Sequence, residues 1–175
     1  ICSFYGGDIG PIIRKDIRNK KTSREDFYIV YTKEESRDSV LDALSQFPDE
    51  NFKVFPDKSM DFTDALTRCK GVISAGGHQM LSEALFLKKP ILAFPQKQQF
   101  EQRLNAIMLE KSGWGIHGEI NHIVESLERF IETIDDFPLK AVGNDNFLFN
   151  DSTLAASNCI RSFVETNDPA FTTKH

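Results

Sequence analysis

Two clusters of polar residues, each set where an apolar run gives way to a helical pattern, are the parts of this chain that could do chemistry. The first is Ser74-Ala75-Gly76-Gly77-His78, which ends a short apolar run and opens a helical segment from Gln79 to Leu87. Paired glycines let a backbone approach a bulky anion, and a helix start offers unpaired amide hydrogens carrying partial positive charge. Together they could hold two phosphates without any lysine. Tight packing of helix on strand accounts for the same glycines equally well. The segment is neither GxGxxG nor GxxxxGK[ST], so dinucleotide and P-loop chemistry lose most of their support. His78 either donates to a phosphate oxygen or simply fills the helix start.

Glu83 lies inside the otherwise small and apolar stretch LSEALFL. At about 1.5 Å rise per residue, a carboxylate six positions after Gly77 is roughly 9 Å along the axis and leans back toward the helix start. A ribose whose phosphates occupy that start is within its reach, and a carboxylate accepts from both ribose hydroxyls. The competing reading is an exposed helix glutamate paired with Lys88 or Lys89. The second cluster follows the next apolar run and Pro95: Glu101-Gln102-Arg103-Leu104-Asn105-Ala106. Glu101 and Asn105 share a helix face, Gln102 sits beside Glu101, and a carboxylate next to amides suits the vicinal hydroxyls of a sugar. A pocket for a phosphorylated ligand, foremost a nucleotide-sugar, is the chemistry these clusters point to.

The elements that must position these clusters follow a regular rhythm. Phe27 to Tyr31 is too continuously apolar for a half-exposed strand and predicts a central parallel one. A helix over Ser36 to Phe47, a strand over Phe52 to Phe55, a helix over Phe62 to Cys69 and a strand over Val72 to Ser74 come next. After the glycine-led helix come a strand over Pro90 to Phe94, a helix over Phe100 to Lys111 and a last short edge strand at Trp114 to Ile116. Amphipathic helices over Ile120 to Ile134 and Ser152 to Glu165 close the pattern. Strands alternating with helices imply an α/β fold, a Rossmann-like open parallel sheet covered on both faces. Ligands of such sheets sit beyond the carboxyl ends of the strands where strand order reverses.

Composition narrows the partners. A chain of 175 residues with 40% hydrophobic content suits one compact domain, and a net charge of −5 with scattered lysines and arginines lacks a nucleic-acid footprint. Cys2, Cys69 and Cys159 show neither CxxC spacing nor a disulfide framework, so they read as inert thiols in a reducing cytoplasmic compartment. No apolar run approaches the roughly 20 residues that span a bilayer. His117, His122 and His175 read as surface histidines, and a spacing of five suits no common helical metal pair. No metal and no organic cofactor are expected. The basic stretch Arg14 to Arg24 reads as a helix or linker with its charges in water.

Gly77, the helix carrying Glu83, the run Pro90 to Phe94 with Pro95, and Glu101-Gln102 ahead of Asn105-Ala106 together resemble the donor-binding half of GT-B-fold glycosyltransferases. The likeness extends to the UDP-glycosyltransferases and the lipid II-forming N-acetylglucosaminyltransferases, over roughly Asp26 to Trp114. It implies that Glu83 holds the ribose, that Glu101 and Gln102 contact the donor sugar, and that Gly76, Gly77, His78 and Gln79 surround the diphosphate of a UDP-sugar. It departs from the plant-type pattern at Ala75, where those proteins usually carry a phosphate-contacting histidine, and it lacks their tryptophan box. The loop after Phe55, with Pro56 and Met60, is the candidate for the base.

The resemblance also implies a division into an interdomain linker over 1–24, a donor-binding domain over 25–166 and a tail over 167–175. It implies an N-terminal acceptor-binding half, as domain or subunit, that supplies the general base. The expected activity is transfer of a hexose or N-acetylhexosamine to an unidentified acceptor, with helix-start amides stabilising the departing diphosphate in place of a divalent cation. A sugar-nucleotide epimerase of the same fold, a donor-binding module docking on a separate subunit, and a Rossmann-like domain whose glycines only pack are the alternatives.

Overall fold

The computed structural model describes residues 3–137 and 148–167. Five parallel strands form one sheet in the order β2-β1-β3-β4-β5. They are β1 (Tyr28–Tyr31), β2 (Phe52–Phe55), β3 (Gly71–Ser74), β4 (Ile91–Ala93) and β5 (Gly115–His117). β1, β3 and β4 are the inner strands and bury nearly every residue, whereas edge strand β2 is half-buried. That is why their sequences are continuously apolar instead of alternating.

Helices α2 (Glu34–Leu44) and α6 (Ile123–Thr133) cover one face of the sheet through Val40, Leu44, Leu127 and Phe130. The other face is covered by α1 (Lys15–Arg18), α3 (Phe62–Arg68), α4 (His78–Phe86) and α5 (Phe100–Lys111), with Ile17, Leu66, Leu81, Leu85 and Leu109 in its core. Two apolar layers around an open parallel sheet make the fold Rossmann-like, as its rhythm predicts. Strand and helix bounds differ from the sequence reading by one to three residues at most ends, and the segment Ile120 to Ile134 divides into a 3-10 turn, Ile120–His122, followed by α6. Gly118 allows that turn: a Cβ there would lie 2.5 Å from the Phe94 ring.

The incoming segment is less solvated than its charges suggest. Ile13 and Ile17 are buried, Arg18 pairs with Asp151 at 3.0 Å, Lys20 with Asp64 at 3.8 Å, and Arg24 with Asp135. Asp151 also accepts from the amide of Ile13, and the amide of Ser152 donates to the carbonyl of Pro11. These bonds stitch the segment to the start of the last helix, α7 (Thr153–Asn167), whose outer face leaves Leu154, Ile160 and Phe163 exposed. At the opposite end of the sheet, buried Lys89 donates to the carbonyls of Ser23 and Cys69 at 2.5 and 2.8 Å. Burial lowers its pKa from the ordinary lysine range. Among the described residues no helix is long and apolar enough to cross a membrane. Cys2 and His175 lie outside the described residues, while Cys69 is buried and Cys159 exposed.

Candidate functional site

β1 lies between β2 and β3, so the chain reverses direction across the sheet at the β1/β3 boundary. The loop after β1 leads to α2 on one face, and the loop after β3 leads to α4 on the other. A crevice therefore opens at their carboxyl ends, and the first glycine cluster sits on its edge.

The two glycines do different work. Gly76 has a φ of +82°, and a Cβ there would meet the Gln102 carbonyl oxygen at 3.3 Å, so its glycine serves a turn packed tightly on α5. Asn105, 1% exposed, closes this contact by donating to the Gly76 carbonyl at 3.1 Å. Gly77 is the N-cap of α4 with ordinary φ, and a Cβ there would meet nothing within 4 Å. No side chain caps α4, and its first internal bond runs from the Leu81 amide to the Gly77 carbonyl. The amides of His78, Gln79 and Met80 precede that bond, which leaves a helix start facing open space.

His78 turns its ring against Phe4, with centroids 5.6 Å apart, and its Nδ1 lies 3.4 Å from the Ser82 hydroxyl. Its Nε2 is buried and has no hydrogen-bond partner among the described residues. Burial lowers the pKa of the ring below the usual histidine value, against a smaller opposing pull from Glu101. Burial thus favours the neutral imidazole, which keeps one nitrogen, Nε2, unused.

Glu83 is not the exposed helix glutamate of the competing reading. It is 2% exposed and pairs with neither Lys88 nor Lys89; Arg14 grips it through Nε and Nη2 at 2.6 and 2.8 Å. Gln79, one turn back, donates a third bond to Oε1 at 2.7 Å. A carboxylate offers about four acceptor positions, so about one remains for a ligand while Arg14 and Gln79 stay in place. Bidentate gripping of a ribose therefore meets a carboxylate already largely engaged.

Gly77, His78, Gln79, Glu83 and Glu101 line one polar groove of about 710 Å³, together with Arg14, Tyr31, Phe62 and Met80. Gln102 is turned away from it: its side-chain oxygen accepts from the Gln96 amide at 3.0 Å and pins the loop after β4. Pro56 and Met60 do not line the groove, but Phe62 just beyond them does, packed edge-to-face on Tyr31 with centroids 5.5 Å apart. The more enclosed and more apolar cavity of the crevice lies elsewhere, beside the loop after β1, and shares only Tyr31 with the groove. Arg14, Tyr31 and Phe62 escaped the sequence reading because each reaches the groove from a distant element. A glycine-proline break followed by an apolar pair and an arginine was the one signal for Arg14. His117 and His122 lie outside the groove, and among the described residues no three His, Cys, Asp or Glu side chains converge so as to hold a metal ion.

A doubly wound parallel sheet with an open helix start at its strand reversal defines a Rossmann-like domain suited to an anionic ligand. Residues 8–135 match the model of glycosyl transferase family 1, and the chain belongs to that family. A stretch of 44 residues, 25% of this chain, is 48% identical to an uncharacterized glycosyltransferase of Methanosarcina mazei and covers 12% of it. The corresponding match in Methanosarcina acetivorans is 46% identical over 44 residues, 25% of this chain and 11% of that relative.

The fold is similar to a solved glycotransferase of kitacinnamycin, with a TM-score of 0.53 and 14% identity over 91% of this chain and 52% of that one. It is similar also to a spinosyn rhamnosyltransferase complexed with thymidine diphosphate, with a TM-score of 0.54 and 15% identity over 89% of this chain and 52% of that one. The chain thus spans about half the length of these solved GT-B glycosyltransferases, and at such identities the likeness speaks to the fold.

Proposed function

We propose that this chain is the donor-binding half of a glycosyltransferase that moves a hexose or N-acetylhexosamine from a UDP-type sugar nucleotide to an acceptor held by a separate N-terminal half. The observation that carries the reading is the open start of α4 at the strand reversal, flanked by the unused Nε2 of His78, in a chain of a glycosyltransferase family. The amides of His78, Gln79 and Met80 take the diphosphate, and the partial positive charge of the helix start stabilises it as it departs. Neutral His78 donates from Nε2 to a phosphate oxygen, with Nδ1 directed at Ser82.

Glu83 offers its remaining acceptor position to one ribose hydroxyl, held in place by Arg14 and Gln79. The aromatic pair Tyr31 and Phe62 gives the base an apolar surface. Glu101 faces the sugar, while Gln102 acts through the loop it pins. The general base is assigned to the acceptor-binding half, and the free thiols fit a reducing cytoplasmic compartment. A second reading, a donor-binding subunit that docks on a separate partner, is favoured by the exposed Leu154, Ile160 and Phe163 on α7.

Calorimetry of the chain with UDP, GDP, thymidine diphosphate and their sugars tests the proposal. UDP and its sugars bind in the expected case, and Glu83→Ala weakens them. Thymidine diphosphate belongs in the panel because one solved neighbour was obtained with it. Absence of binding by every nucleotide at millimolar concentration ends the donor reading. Equal binding of UDP by wild type and Glu83→Ala ends the ribose assignment alone.

A further inference from the structure

We propose that the apolar cavity beside the loop after β1 binds an amphiphile, a hydrocarbon body with an anionic head, at the same time as a nucleotide occupies the polar groove. The cavity has a volume of about 370 Å³, within the range of small-molecule sites. Val30, Val40, Ile73 and Phe94, all buried, belong to its lining. Burying such walls against hydrocarbon is favourable in proportion to the area removed from water.

Its rim has the opposite character. Lys33 and Lys97 both border the opening, and among the described residues no carboxylate lines the cavity or pairs with either ammonium. Lys33 instead donates to the side-chain oxygen of Gln96 at 3.1 Å, spanning the loops after β1 and β4. Arg14, Arg18, Lys20, Arg24, Arg68, Lys70 and Arg129, by contrast, all meet carboxylates. Two unpaired lysines over an apolar hollow therefore complement a negative head group. The start of α2 adds to this, since its N-cap Lys33 makes no side-chain cap. The exposed side chain of Glu34, next along the helix, is not part of the lining.

The nucleotide groove lies on the far side of Tyr31, which lines both cavities. An apolar body in one and a nucleotide in the other would stand side by side at the carboxyl ends of β1 and β3. This places an apolar portion of a second substrate on this half of the protein, and it does not depend on which nucleotide the groove takes.

Octyl phosphate, kept below its micelle concentration and titrated calorimetrically, is the probe, with octanol and butyl phosphate beside it. Octyl phosphate binds saturably in the expected case, and saturating UDP leaves its affinity within about threefold, a change of well under one tenfold step. Butyl phosphate binds about a hundredfold more weakly, because four methylenes are no longer buried. Joint Lys33→Gln and Lys97→Gln substitution, at two exposed positions, weakens octyl phosphate about tenfold and leaves octanol unchanged. Ser36→Trp, placed at the α2 side of the cavity, abolishes octyl phosphate binding while circular dichroism stays native.

Several results overturn the proposal: no saturable binding, equal binding by the double lysine variant, or full displacement by UDP, which assigns the cavity to the donor. Association with phosphatidylcholine vesicles doped with phosphatidic acid, without binding of monomeric octyl phosphate, also overturns it in favour of a surface contact. If UDP fails to bind while octyl phosphate binds, the donor reading falls and this one stands.

Discussion

Replacing Arg14 with methionine probes the floor of the polar groove. The guanidinium donates to Glu83 Oε1 at 2.6 Å and to Oε2 at 2.8 Å, the forked geometry in which charge-assisted bonds are strongest. The partners are unequal, for Glu83 is 2% exposed and Arg14 is 46% exposed. Without Arg14, the buried carboxylate keeps only Gln79 as donor. Breaking a fully buried pair costs about 3–5 kcal/mol, and water around the arginine brings the expected loss to about 2 kcal/mol.

Glu83→Gln is milder: it keeps an acceptor of the same shape and leaves an arginine that can turn to solvent, costing about 1 kcal/mol. Urea unfolding followed by the fluorescence of Trp114, the sole tryptophan and 5% exposed, reads both variants. For a chain of this size about 2 kcal/mol corresponds to a fall of about 4–8 °C in Tm. A loss for Arg14→Met below about 0.5 kcal/mol, the range of an ordinary surface change, refutes the reasoning. So does a larger loss for Glu83→Gln than for Arg14→Met.

The two glycines predict opposite behaviour. Gly76→Ala strains a φ of +82° and crowds the Gln102 carbonyl, so it lowers stability by about 1–3 kcal/mol in urea unfolding. Gly77→Ala has room and ordinary φ, so stability falls by less than about 1 kcal/mol while UDP affinity drops in calorimetry. His78 contributes a pH dependence: its folded pKa lies below 6.5, so the unfolded chain takes up the proton first as pH falls. That contribution is fully present above 6.5 and is lost as pH drops through 6.5 toward the folded value. Stability of His78→Gln should therefore fall less than wild type across that window, and identical profiles would contradict the burial argument. Burial pushes the Cys69 thiol up to about 12, whereas Cys159 is exposed. Ellman's reagent should therefore lose its prompt Cys159 signal in Cys159→Ser and reach Cys69 only on unfolding.

Much of the fold was legible because each inner strand carries a local signature. Tyr28 to Val30, Gly71 to Ser74 and Ile91 to Ala93 are apolar without alternation, and only a strand buried on both faces needs that. The helix over Phe100–Lys111 has the predicted bounds, although Phe100 is 80% exposed and its buried positions are Asn105, Ala106 and Leu109. The helix ends were less legible: α2 begins at Glu34 and α4 at His78 with no side chain to cap either, so no Ser, Thr, Asp or Asn marks the start. α3, by contrast, is capped by Asp61, which accepts from the Asp64 amide at 3.1 Å, and its start was placed correctly at Phe62.

The site was legible only where it is local. Gly77, His78, Gln79 and Glu83 lie on one helix start, so spacing alone brings them together. Strand order is a different kind of information, since it depends on which crossovers pack and not on any single segment. The order β2-β1-β3 sets Tyr31 opposite Ser74, 43 positions later, and so brings the loop after β1 beside the loop that leads to α4. Arg14 is the sharper case. Read locally it is one cation in a basic run, whose expected partner is water. In the fold it is the forked hydrogen-bond partner of Glu83, 69 positions away and 2% exposed. Only the fold shows that Glu83 is buried, and a buried carboxyl needs hydrogen-bond donors. The helical pattern around Glu83 left open whether it faced a ligand or water, and Arg14 answers a burial that only the packing of distant segments creates.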